Sequence, residues 1–215
     1  MNILRRFIHL GGWFQKPAVP DGKVYIAGTG RAGTTMLVQL LTELGLDTGY
    51  SPSDWRQAYF EIARAGCEWD LSDVNGPRFQ KSPYLCDRLE EIVGQGVRVA
   101  QLIVPVRRME DAAKSRIKVQ VATTGDADGV EVAGGLWSTA KAADQETILR
   151  AKLTNLIEVA VKNDIPMIFL SYPRHVRDGD YAYSKLAPVL GGIRRNEFMS
   201  AFNRISKPEL VSTFS

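Results

Sequence analysis

Three glycines, an arginine and two threonines stand together in Gly28-Thr29-Gly30-Arg31-Ala32-Gly33-Thr34-Thr35, where a short apolar run ends and a helix-period pattern begins. A strand, a tight loop and a helix start, in that order, aim backbone N–H groups and the positive end of a helix dipole at one spot, which binds an anion. Gly28, Gly30 and Gly33 satisfy the dinucleotide pattern G-x-G-x-x-G. Gly28 and Gly33 also satisfy the P-loop pattern G-x-x-x-x-G-K-S/T, with Thr34 in the lysine slot and Thr35 in the hydroxyl slot. Arg31 is then the cation of the loop. A dinucleotide site needs an acid at the end of a second strand about 20 residues on. Asp47 has that distance but follows Glu43-Leu44-Gly45-Leu46, a helix end. Paired hydroxyls suit a tetrahedral oxyanion, so the phosphate or sulfate loop is the preferred reading.

Chemistry at such a loop needs further groups. A phosphoryl-transfer enzyme ends a core strand in a carboxylate that holds Mg²⁺. The run Gln101-Leu-Ile-Val-Pro-Val ends instead in Arg107-Arg108, so a second anionic group beside the first would be bound directly by protein charge. Ser115 follows Arg107 about two helical turns later. His9 and His175 are the only histidines, have no patterned partner, and read as structural or exposed.

The elements that must position these groups alternate. After the loop, Met36, Leu37, Leu40, Leu41 and Leu44 mark a helix face ended by Gly45. Ser53 to Ala65 reads as a second helix with Trp55, Tyr59 and Ile62 inward. Residues 78–82 form a short strand and 84–93 a helix; Val97 to Val106, continuously apolar, is a central parallel strand. Glu110 to Val121 is helical, Thr123 to Gly135 is a glycine-rich loop placed to act as a lid, Ser138 to Lys162 is a long helix, and Ile165 to Leu170 is the last clear strand. This is a three-layer α/β sandwich around a parallel sheet of about four to five strands. Residues 1–22 form an N-terminal arm and 23–215 one domain, with the anion loop at the carboxyl end of the first strand.

The chain has 215 residues, 45% of them hydrophobic, and a formal net charge of +3, which fits an anion site and is too small to argue for nucleic acid. Cys67 and Cys86 lack both a disulfide framework and metal-ligand spacing, which predicts reduced thiols in a cytoplasmic protein. No run has the length of a membrane span, although residues 1–14 could lie on a membrane surface. The acceptor side falls to residues 47–76 and 123–145. There Trp55, Tyr59, Phe60 and Trp69 would suit an apolar or ring-bearing ligand, but at helical spacing they belong to a core.

Taken in order, these residues resemble the sulfotransferases that use 3′-phosphoadenosine 5′-phosphosulfate (PAPS). Arg31-Ala32-Gly33-Thr34-Thr35-Met36-Leu37 is similar to the family's 5′ loop, Arg107 with Ser115 eight residues on to its 3′-phosphate motif, and Lys81-Ser82-Pro83 to its intervening strand end. Phe169-Leu-Ser-Tyr-Pro-Arg-His-Val-Arg-Asp resembles its last core strand and turn, so the likeness runs roughly from residue 23 to 190. The resemblance implies metal-free, in-line transfer of a sulfuryl group to a hydroxyl or amine of a small molecule or carbohydrate. Gly30, Arg31, Ala32, Gly33, Thr34 and Thr35 would hold the 5′-phosphate, Arg107 and Ser115 the 3′-phosphate, and Lys81 would reach the bridging oxygen. Where the cytosolic branch has a catalytic His this chain has Pro83, which places it nearer the carbohydrate-modifying branch. That branch looks to a Glu between the loop and the Lys strand, an interval that here offers Asp54, Glu61, Glu68 and Asp70. Asp54, at the head of its helix, is the first candidate for the base and Glu68 the second. A nucleotide kinase, an NAD(P)-dependent oxidoreductase using the three glycines, and a PAPS-binding homologue without catalysis are the competing readings.

Overall fold

The computed structural model describes residues 21–212 and 214; the expected arm at 1–22, its membrane-surface stretch and His9 lie almost wholly outside them. Four strands, β1 (Lys23–Ile26), β4 (Phe79–Lys81), β5 (Val99–Val106) and β6 (Met167–Ser171), form a parallel sheet in the order β4-β1-β5-β6. Successive side chains along β1 face opposite ways, as strand geometry requires. Val24 and Ile26 join one core with Leu37, Leu40 and Leu41 of α1 (Thr34–Glu43), Leu186 of α6 (Gly179–Leu186, after the single turn α5 at Arg174–Arg177) and Phe198 of α7 (Arg195–Ile205). Tyr25 joins the other, with Leu89 of α2 (Leu85–Gly94), Ala112 of α3 (Met109–Thr124) and Leu149 and Leu156 of α4 (Gln145–Lys162). Helices therefore cover both faces, the three layers expected from the alternating pattern.

Register does the positioning. Ile26, the last residue of β1, pairs with Lys81 on one side and with Ile103 on the other. The loop that leaves β1 therefore emerges beside the Lys81 strand end, and Arg107 follows the end of β5, β1's other neighbour.

Two expected elements differ. Ser53 to Ala65 is not a helix: a 3₁₀ turn at Trp55–Ala58 leads into an antiparallel hairpin, β2 (Tyr59–Phe60) and β3 (Ala65–Gly66). The helical spacing of Trp55, Tyr59 and Ile62 is a coincidence, because Ile62 is 69% exposed. Adjacent aromatics favour extended backbone. Gly66, at φ 141°, lets the strands close so tightly that a Cβ there would lie 1.9 Å from the Ala58 carbonyl. The long helix starts at Gln145, not Ser138. The Gln145 amide is buried and brackets the Trp137 backbone, accepting from its N–H at 2.7 Å and donating to its carbonyl at 3.3 Å, which holds the preceding segment off the helix axis.

Candidate functional site

Two cavities open at the carboxyl ends of β1, β4 and β5, divided by the β2–β3 hairpin and the glycine loop. One, of about 470 Å³, is lined by Thr34, Thr35, Trp55, Arg107, Ser115 and Tyr172 among others. The second, of about 540 Å³, is lined by Glu68, Lys81, Pro83, Tyr84, Glu131 and Trp137 among others. Arg31 borders both.

The loop needs unusual backbone to reach α1. Gly28, Gly30 and Gly33 have positive φ, and Arg31 itself sits at φ 54°. A side chain on Gly33 would meet the His175 ring, its Cβ 2.8 Å from Nε2. His175 is fully buried beneath the loop and contacts the Ser171 carbonyl through Nδ1 at 3.2 Å; burial pushes its pKa down to about 4. On the other side Arg116, also buried, donates to the Thr29 carbonyl from Nε (3.3 Å) and Nη2 (2.8 Å) and to the Gly135 carbonyl from Nη1 (2.8 Å). Burial lowers its pKa to about 10. Neither support was legible in the sequence: His175 carried no partner pattern, and Arg116 merely follows Ser115.

Residues distant in sequence meet around this loop. Arg31 Nε donates to Ser115 Oγ at 3.1 Å and its Nη1 to the Ala63 carbonyl on the hairpin. Arg107 Nη1 donates to the Arg31 carbonyl at 2.9 Å, and its guanidinium lies over the Tyr172 ring at 4.9 Å. Arg31, Arg107 and Ser115 thus form one connected cluster, with the Arg31 side chain between the two expected clamps rather than on the 5′ side alone. Burial lowers the pKa of both arginines, and for Arg31 the nearby Arg107 charge lowers it further. Thr34 and Thr35 are buried at the head of α1, and Gly30, Ala32 and Gly33 complete the turn before it.

Lys81 stands across the same threonines. Its ammonium donates to Thr35 Oγ1 (3.0 Å), the Gly66 carbonyl (2.6 Å) and Glu68 Oε1 (2.7 Å), filling its three donor positions. The Lys81 side chain is 5% exposed and that of Glu68 37%. Burial pushes the Lys81 pKa down, and the Glu68 carboxylate partly opposes it.

The structure separates the two candidate bases. Asp54 is exposed, accepts the Ser51 N–H at 2.7 Å to close its own turn, and lines neither cavity. Glu68 lines the second cavity and touches Lys81. Pro83 lines that cavity too. The expected lid at 123–135 forms part of its wall and is tethered, Gln120 Nε2 donating to the Val130 carbonyl at 2.8 Å. Cys67 and Cys86 are free and buried, their thiols pushed up by burial to about 11 and about 12. Among the described residues no group of three or more His, Cys, Asp or Glu could hold a metal ion, and no helix is long and apolar enough to cross a membrane.

No protein-family model matches the chain, and no curated protein matches it in sequence. Among solved structures it is similar to the sulfotransferase domain from the Synechococcus PCC 7002 olefin synthase, with a TM-score of 0.52 and 16% identity over 94% of this chain and 86% of that one. The fold is that of a sulfotransferase domain. At this identity the likeness speaks for the architecture, and the chemistry has to be argued from the two cavities.

Proposed function

We propose that the protein is a sulfotransferase that moves a sulfuryl group from PAPS to a hydroxyl or amine of a small-molecule or carbohydrate acceptor. The observation that carries this reading is the convergence of four separate sequence elements on the head of α1: Arg31, Arg107 and Ser115 in one hydrogen-bonded cluster, and Lys81 on Thr35 from the opposite side. The donor set fits a nucleotide with phosphates at both ends, because the buried Arg107, the half-buried Arg31 and the helix N-terminus bring positive charge to a cavity. The donor supplies the activated sulfuryl group. The glycine loop, Thr34 and Thr35 hold its 5′ end, while Arg107 and Ser115 hold its 3′-phosphate and so fix its register.

Lys81 lines the second cavity, reaches Thr35 of the first with its ammonium, and stabilises negative charge on the departing nucleotide oxygen. Its burial keeps water from screening that charge. Glu68, on the acceptor side of the same ammonium, takes the proton from the attacking hydroxyl or amine. Pro83 occupies the position of the missing histidine and leaves this task to the carboxylate.

A thermal-shift panel tests the reading. Adenosine 3′,5′-bisphosphate at about 100-fold excess over its Kd would stabilise the protein by about 2.7 kcal/mol without added metal. ATP with Mg²⁺ and NAD(H) or NADP(H) would give little shift. Stabilisation by either of those and none by the bisphosphate would assign the site to a kinase or an oxidoreductase. Bisphosphate binding with no turnover across an acceptor screen would mark a non-catalytic homologue.

A further inference from the structure

The donor cavity carries more positive charge than the loop motif accounts for, and part of it is engaged by the chain itself. Beyond α7, Ser206 Oγ donates to the Val176 carbonyl and pins the start of a tail segment. Lys207, Leu210, Val211 and Ser212 then line the donor cavity. Within the segment the 3₁₀ turn Pro208–Leu210 turns carbonyls toward two guanidiniums: Arg107 Nη2 donates to the Ser212 carbonyl at 2.6 Å, and Arg64 Nη1 to the Leu210 carbonyl at 3.2 Å. The Phe214 ring lies 5.4 Å from the Arg107 guanidinium, which Tyr172 flanks at 4.9 Å. Arg107, the residue assigned to the 3′-phosphate, is only 5% exposed.

A backbone carbonyl is a neutral acceptor. A phosphate oxygen on the same guanidinium makes a charge-assisted bond roughly twice as strong. The tail therefore satisfies Arg107 and Arg64 in a form that an anion can outcompete. Arg64, on the hairpin and at φ 46°, is held in the left-handed region that a non-glycine residue rarely adopts, the kind of strain that surrounding contacts must sustain.

Resting on the donor reading above, we infer that residues 207–212 are a displaceable strap whose carbonyls occupy Arg107 and Arg64 until nucleotide phosphate takes their place. Nucleotide entry is then coupled to release of the tail, and Arg64 becomes a phosphate ligand that the loop motifs do not include.

Hydrogen exchange on the full chain reads this directly. The Leu210 and Val211 amides bond within the strap, to the Lys207 and Pro208 carbonyls. With saturating adenosine 3′,5′-bisphosphate, amides at 28–35 are expected to exchange more slowly and those at 207–212 faster. Slower or unchanged exchange at 207–212 while 28–35 is protected overturns the strap and leaves the donor reading standing. No protection at 28–35 and no thermal shift overturns both. A second arm uses Phe214→Ala, which removes the ring from the Arg107 guanidinium and loosens the tail while loop, Lys81 and Arg107 stay unsubstituted. Losing this half-buried cation–π contact predicts about two- to fivefold tighter bisphosphate binding by calorimetry; unchanged or weaker binding contradicts the strap.

Discussion

The two cavities share Arg31 and the hairpin wall, yet they treat buried charge in opposite ways. On the donor side Arg107 and Arg31 hydrogen-bond to backbone carbonyls and a serine, and both guanidiniums are pulled below their usual pKa range. On the acceptor side Lys81 is paired at 2.7 Å with Glu68. A buried cation without a carboxylate in hydrogen-bonding contact favours an incoming anion, because the anion relieves its desolvation. A buried cation that already has a carboxylate gains little from a second one; under the proposed function the Lys81–Glu68 pair handles a proton instead.

The largest break in this comparison comes from removing the paired carboxylate. Glu68→Gln is expected to lower turnover of an accepted hydroxyl compound by about 10²- to 10⁴-fold while leaving bisphosphate affinity intact. Asp54→Asn should leave both unchanged, and steady-state kinetics beside calorimetry on the two variants separates the candidates. Retained turnover in Glu68→Gln with loss in Asp54→Asn would return the base to the exposed turn. Lys81→Met is expected to cost about 10²- to 10³-fold in turnover. A loss confined to KM would reduce Lys81 to a binding group.

A smaller effect sharpens the donor side. The unfolded His175 imidazole titrates near 6.5 and the folded one at about 4, so between those values the unfolded chain binds more protons and stability falls as pH falls. The His175 share of that loss is roughly 3 kcal/mol when complete. It is measurable as the difference in urea-unfolding free energy between wild type and His175→Gln across pH 4 to 7. A wild-type profile that parallels the variant's would show that the ring beneath Gly33 is not held neutral.

The parts of the molecule legible from sequence are those where local pattern and global fold agree. Continuous apolar runs marked β1, β5 and β6, while β4, Phe79-Gln80-Lys81, was marked by Pro83 shortly after it; the glycine-arginine-threonine order marked the loop because few backbones other than glycine tolerate its φ values. The segment from Ser53 to Ala65 was misread because the apolar residues at helical spacing there do not share a face: Trp55 packs inward while Ile62 is exposed. That error placed Asp54 at a helix head facing the loop and hid the hairpin on which Arg31 is anchored. Glu68 could be picked from the interval but ranked second to Asp54, since its contact with Lys81 depends on how the chain returns from the hairpin to β4. Arg116 and His175 bond to backbone carbonyls, partners that leave no side-chain signature in a sequence.

The proposed function has one nucleotide gripped at both ends, with Arg107 on its 3′-phosphate. Calorimetric titration of wild type and Arg107→Ala with adenosine 3′,5′-bisphosphate and with adenosine 5′-phosphate tests it most directly. Wild type is expected to bind the bisphosphate about 10- to 100-fold more tightly than the monophosphate, the worth of one charged hydrogen-bonded group, and Arg107→Ala to bind the two alike. Equal affinities in wild type, or a preference that survives in Arg107→Ala, would contradict the account.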